Sequence, residues 1–109
     1  MLHNWYTEDQ WCKGASALDV NGNEVSWDSP NAVKWDLSTA IFISYKKSEY
    51  EDKIFKLKKM QKSLYNELWM DCREYHKTAG RAFSPLWVFN DHPKVTWEMI
   101  RRLIKFSDI

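Results

Sequence analysis

Eight apolar residues, Tyr50, Ile54, Leu57, Met60, Leu64, Leu68, Cys72 and Tyr75, follow one another at intervals of three or four. At about 100° per residue they stay within a sector of about 120°, so the spacing predicts a helix over 48–77 with one face that must be covered. Lys56, Lys58, Lys59 and Lys62 fall on the opposite side. Ser48 can cap its start, and Gly80 can stop it. About thirty helical residues span about 45 Å. That is long for a chain of 109 residues, which fits one domain over 1–109 and has no room for a second core. A kink, or a partner covering one end, is therefore expected.

The other elements are shorter. Thr7 and Gln10 stand at capping-box spacing in front of a brief helix that Gly14 would end. Asn21-Gly22 lies between Ala17–Val20 and Glu24–Trp27, which reads as a hairpin over 16–27 with a type I′ turn. Asp28-Ser29-Pro30 is a helix start, and Val33, Leu37, Ala40, Ile41 and Ser44 share one face of a helix over about 30–45. Ser84-Pro85 can open a single turn through Leu86–Phe89, although that run also fits a short strand. Thr96 caps the last helix, near 96–106, with Trp97, Ile100, Leu103, Ile104 and Phe106 facing inward. The fold class expected is mainly α, a small domain of three principal helices with a short β-hairpin alongside.

Composition removes several classes. Hydrophobic residues at 44% and charged residues at 28% describe a folded chain, while three Gly and three Pro exclude a collagenous or linker-like one. No apolar run reaches the about 18 residues of a membrane span. Two cysteines, far apart and without a CxxC, suit buried thiols in a reducing compartment, so a cytoplasmic location is expected. The net charge of +1 hides an asymmetry: residues 1–45 carry −4, residues 46–77 carry +3 and residues 78–109 carry +2. Such a division marks either a partner surface or two packed halves that complement each other.

Three ordered pieces stand out: Trp11-Cys12-Lys13-Gly14-Ala15, then Pro30-Asn31-Ala32-Val33-Lys34-Trp35, then Phe89-Asn90-Asp91-His92-Pro93 followed by Thr96 and Glu98. Asp19, Gly22 and Val25 add a hairpin spacing between the first two. Together they resemble an uncharacterised family of small bacterial and phage domains that reads W-C-x-G-A, P-x-A-x-x-W-C and W-N-D-x-P-x-x-T. The resemblance covers about 11–41 and 86–104 and leaves the lysine-rich middle unsupported. Asp36 and Thr39 replace the family's Cys and Gly, Phe89 replaces its third Trp, and only ten residues precede Trp11. The family has no assigned activity, so the resemblance implies a fold and a core. Trp11, Trp35 and Phe89 are the large anchors expected to bury one another in that core, with Asn90 and Asp91 bonding their own backbone as caps.

Catalytic patterns are missing from the sequence. There is no GxGxxG, P-loop, GxSxG or HExxH, and His3, His76 and His92 are scattered without metal-ligand spacing. Cys12, Asp91 and His92 could line a pocket if the first and third motifs meet in space, but buried thiols are the commoner role for free cysteines. No enzyme, cofactor or metal is therefore expected.

Seventeen aromatic residues exceed what a core of this size readily buries, and aromatics are the usual anchors of interfaces. The leading expectation is a small interaction module that binds a bacterial protein or a second copy of itself; the family resemblance adds a phage source to that expectation. The alternative is a nucleic-acid accessory protein using the Lys and Arg faces of the long and last helices. Phe55 carries the sharpest residue-level reading. It lies about 140° from the centre of the apolar stripe, among the lysines, with Trp69 toward the same flank. Phe55 and Trp69 are expected to anchor a partner, with Lys56, Lys58, Lys59 and Lys62 as rim. The opposing reading packs Phe55 under the hairpin or termini.

Overall fold

A computed structural model of the chain describes residues 1–77 and 86–109, with side chains through Cys72 and from Leu86 onward. The side chain of Tyr75, and Gly80 and Ser84-Pro85 altogether, lie outside the described parts.

The first half is built on short hydrogen-bonded turns. Single 3-10 turns form at Leu2–Asn4 and Glu8–Gln10, and Gln10 Oε1 accepts from the Thr7 amide at 3.1 Å. Strand β1, Ala17–Leu18, pairs antiparallel with β2, Lys34–Trp35, in the register Ala17 to Trp35 and Leu18 to Lys34. The hairpin's second strand therefore comes ten residues later than its sequence pattern placed it. Residues near 24 make one bridge, Glu24 to Leu18. The turn at Asn21-Gly22 is present but is not type I′, because Gly22 at φ 82° has positive φ and Asn21 does not. Asp19 closes it instead, its Oδ1 accepting from the amides of Asn21 and Asn23 at 2.9 Å.

Helix α1 runs Leu37–Ser44. Its cap is Asp36, which accepts from the Thr39 amide at 2.9 Å, so the helix starts seven residues after Pro30. Pro30 sits in a turn closed by Ser29, and Val33, expected on the inner helical face, is exposed before it. The reason is competition: an extended Lys34–Trp35 pairs with β1, and Asp36 then offers the next cap.

The long helix of the sequence pattern is two helices. Helix α2 spans Lys47–Leu64 and α3 spans Asn66–Lys77, separated at Tyr65 with φ −132° and ψ 54°. The break is the expected kink, and it leaves no overlong end for a partner to cover: α2 fits within a molecule of 36 × 27 × 27 Å. Helices α4, Leu86–Asp91, and α5, Trp97–Ser107, complete the chain. Thr96 caps α5 by accepting from the Met99 amide at 3.4 Å.

Helix α2 packs across α5, with α1 and α3 against its flanks and α4 between α1 and α3. The core joins Leu37, Ala40 and Ile41 of α1, Leu57 of α2, Leu68 and Cys72 of α3, Phe89 of α4, and Ile100, Leu103 and Ile104 of α5. Leu2, Tyr6 and Ile109 close it from the two ends of the chain. Phe106, assigned to the inner face of α5, is half exposed instead. The fold is mainly α, with a two-stranded antiparallel hairpin beside the helices. No helix among the described residues is long and apolar enough to cross a membrane.

Candidate protein-interaction surface

The first and third motifs do meet, and Asn90 is the joint. It is fully buried at the end of α4. Its Oδ1 accepts from the Trp11 indole N–H at 2.8 Å and from the Leu37 amide at 3.0 Å. Its Nδ2 donates to the Cys12 carbonyl and to Asp91 Oδ1, both at 2.9 Å. Asp91 also receives the Gly14 amide at 2.9 Å, and Lys13 Nζ donates to the carbonyls of His92 and Val95 at 2.7 and 2.6 Å. Asn90 thus does not cap its own turn, as its sequence context suggests. It ties three separate segments together.

Phe89 is fully buried and stacks on Tyr65 at 6.3 Å. Trp11 and Trp35 are half-buried, and their backbones form a parallel bridge. Their rings pack on other aromatics, Trp11 on Trp97 and Trp35 on Trp5, each at 6.0 Å. The three anchors belong to one assembly, but each has its own ring partner.

At this junction no hydrogen bond among the described residues joins the Cys12 thiol to His92. Cys12 Sγ donates to the Ala15 carbonyl at 3.5 Å, and burial, with Asp36 and Asp91 adding, pushes its thiol up to about 11. His92 Nδ1 accepts from the Lys94 amide at 3.1 Å, and Nε2 lies 3.8 Å from Asp71. The ring contacts Lys94 and Asp71 rather than the thiol. Cys72, on α3, is likewise pushed up to about 11 by burial. Among the described residues, no three His, Cys, Asp or Glu side chains are grouped to hold a metal ion.

The outer face of α2 is different. A groove of about 440 Å³ is lined by Tyr50, Glu51, Ile54, Phe55, Lys58, Lys59 and Lys62 of α2 and by Trp69 of α3. Phe55 is 56% exposed there, which excludes its packing under the hairpin or termini. Lys59 Nζ lies 5.1 Å from the Phe55 ring centre, and Lys62 Nζ lies 4.8 Å from that of Trp69. Burial holds the Lys58 ammonium below its ordinary value. Five of the six residues chosen from sequence therefore share one groove. Lys56 stands apart from it, 3.8 Å from Asp52 one turn earlier. Trp69, expected with Phe55 as a partner anchor, is 8% exposed and forms a wall of the groove. The Tyr65 break explains both results, because it turns α3 so that Trp69 faces back toward α2.

Sequence reasoning overlooked Tyr50, Glu51 and Ile54 in this groove. Tyr50 and Ile54 count in the inner stripe, whereas the signal for Glu51 is a second stripe, Glu51, Phe55, Lys58 and Lys62, at intervals of four, three and four. It centres about 130° from Leu57 on the helical wheel. Arg101 and Lys105 of α5 line a separate groove with His3, Tyr6 and Trp97.

The fold and groove together define a small, tryptophan-rich helical domain with an aromatic, lysine-flanked cleft on its longest helix. Comparison with protein-family models, curated proteins and solved structures finds no match to this chain.

Proposed function

We propose that this protein is a protein-interaction module that engages a bacterial protein through the α2–α3 groove. One observation carries the reading: Phe55 is more than half exposed within a groove whose other apolar walls are Tyr50, Ile54 and Trp69. An apolar side chain left in water there gains by being covered. Lys58, Lys59 and Lys62 favour acidic partners by attraction and disfavour basic ones by repulsion. The setting is the bacterial cytoplasm, with a phage-encoded source consistent with the motif order of the amino-terminal and carboxy-terminal pieces.

Phe55→Ala is the test. As an exposed residue it should change stability by about 0.5 kcal/mol or less, while a bacterial protein retained stoichiometrically by the wild type is lost. A fall of more than about 8 °C in Tm would show a core role and end the interface reading. Binding to random-sequence DNA that weakens steeply with salt would transfer the groove to the nucleic-acid reading.

A further inference from the structure

The geometry points to a second copy of this chain as the occupant of the groove in the isolated protein, paired through α2 about a two-fold axis. This rests on the groove being a protein-docking surface, and it names what docks.

The charge order along α2 is self-complementary. Although Lys47 and Lys53 also lie in its first half, the outer stripe carries Glu51 in that half and Lys58 and Lys62 in the second. The outer stripe has the spacing of a coiled-coil seam, four then three then four, from Glu51 through Phe55 and Lys58 to Lys62. Setting two such helices antiparallel, with the axis between Phe55 and Lys58, places Glu51 opposite Lys62 of the second copy. It also places Phe55 opposite Lys58. Each end of the seam then holds an ion pair, and each central layer sets a cation against an aromatic ring. A two-fold arrangement satisfies both halves of every pair at once and closes without leaving a free sticky end. The parallel arrangement would set like charges against each other.

Two further observations favour this occupant. Among the described residues no ion pair joins Glu51 to its own chain, so its carboxylate is available to a second copy. The aromatic surface also continues past the acidic end: Tyr50 packs on Phe42 at 5.7 Å, and Phe42 on Trp27 at 5.2 Å. Phe42 and Trp27 are both more than 40% exposed.

Charge reversal tests the register directly. Sedimentation of the wild type should show a dimer that dissociates on dilution and weakens with added salt. Glu51→Lys and Lys62→Glu, each alone, put like charges at both ends of the seam and should weaken the dimer at least about tenfold. Mixing the two variants should restore a dimer, because one brings lysine at both positions and the other glutamate. The double reversal within one chain should restore it as well. Both positions are exposed, so circular dichroism of every variant should match the wild type. A wild type that remains monomeric at high concentration overturns the proposal, as does a mixture that remains monomeric or a dimer indifferent to both reversals. If the chain is monomeric but still captures a bacterial protein through Phe55, self-pairing fails and the docking role stands. If it does neither, both fail.

Discussion

Asn90 shows how much one side chain can hold. Its amide satisfies an indole N–H and a carbonyl from Trp11-Cys12 and the helix-start amide of Leu37, joining two other segments to its own. Asn90→Ala would leave the Trp11 N–H, the Leu37 amide and the Cys12 carbonyl without a partner. At about 1–3 kcal/mol for each stranded group, the loss is on the order of 4 kcal/mol and the fall in Tm at least roughly 15 °C. Thermal melts followed by circular dichroism measure it. Asn90→Asp should not rescue, because it loses the donor to Cys12 and sets a second carboxylate against Asp91. A near-neutral Asn90→Ala would show that the three segments are held by apolar packing alone. In the sequence Asn90 reads as a turn residue, since nothing local reveals that its partners lie 53 to 79 residues away.

At the scale of the element, α2 and α3 show where periodicity informs and where it misleads. A stripe counted through Met60 and Leu64 reads as one helix, yet Leu64 is exposed and Gln61 is 3% exposed in the core. Tyr65 interrupts the helix, so that its ring stacks on Phe89 and Leu68 and Cys72 reach the core. Among the described residues Gln61 Nε2 has no hydrogen-bond partner. A buried amide without a partner costs stability that an apolar side chain of similar size does not. Gln61→Leu is therefore expected to stabilise by about 1 kcal/mol, raising Tm by about 4–8 °C. Chemical denaturation should show a higher midpoint with an unchanged slope. A destabilised variant would show that the amide group is satisfied in solution.

At the scale of the whole molecule, internal pairing among the described residues does not resolve the charge asymmetry. Among the described residues no ion pair links the acidic first 45 residues to the basic middle. The interior nevertheless sets a pH limit. Burial pushes the thiols of Cys12 and Cys72 up to about 11 from an ordinary value of 9.0, and it raises the Tyr6 phenol, whose hydroxyl donates to the Trp35 carbonyl, further above its ordinary range. Between those limits the unfolded chain releases protons that the folded chain keeps. Stability from these groups is thus complete below pH 9.0 and declines as pH rises toward about 11. Thermal melts across that range should show a falling Tm, and replacing both cysteines by alanine should flatten part of the slope. A Tm that stays level through it would contradict the buried-thiol assignment.

By itself the sequence determined the features set by local chemistry and helical period. Those are a mainly helical chain, the Thr96 start of α5, the bend at Asn21-Gly22, the inward face of α5 up to Ile104, and the placement of Phe55 among lysines. They are legible because each depends on residues within a turn or two of one another. The tertiary structure alone decided that β1 pairs with Lys34–Trp35, that α1 waits for Asp36, that the long helix breaks at Tyr65, and that Trp69 becomes a groove wall. It also decided that Asn90 sits at the centre of the motif junction. Each of those outcomes is a competition between acceptable local structures. The winner is the one that buries the most apolar surface and satisfies the most backbone groups across distant segments.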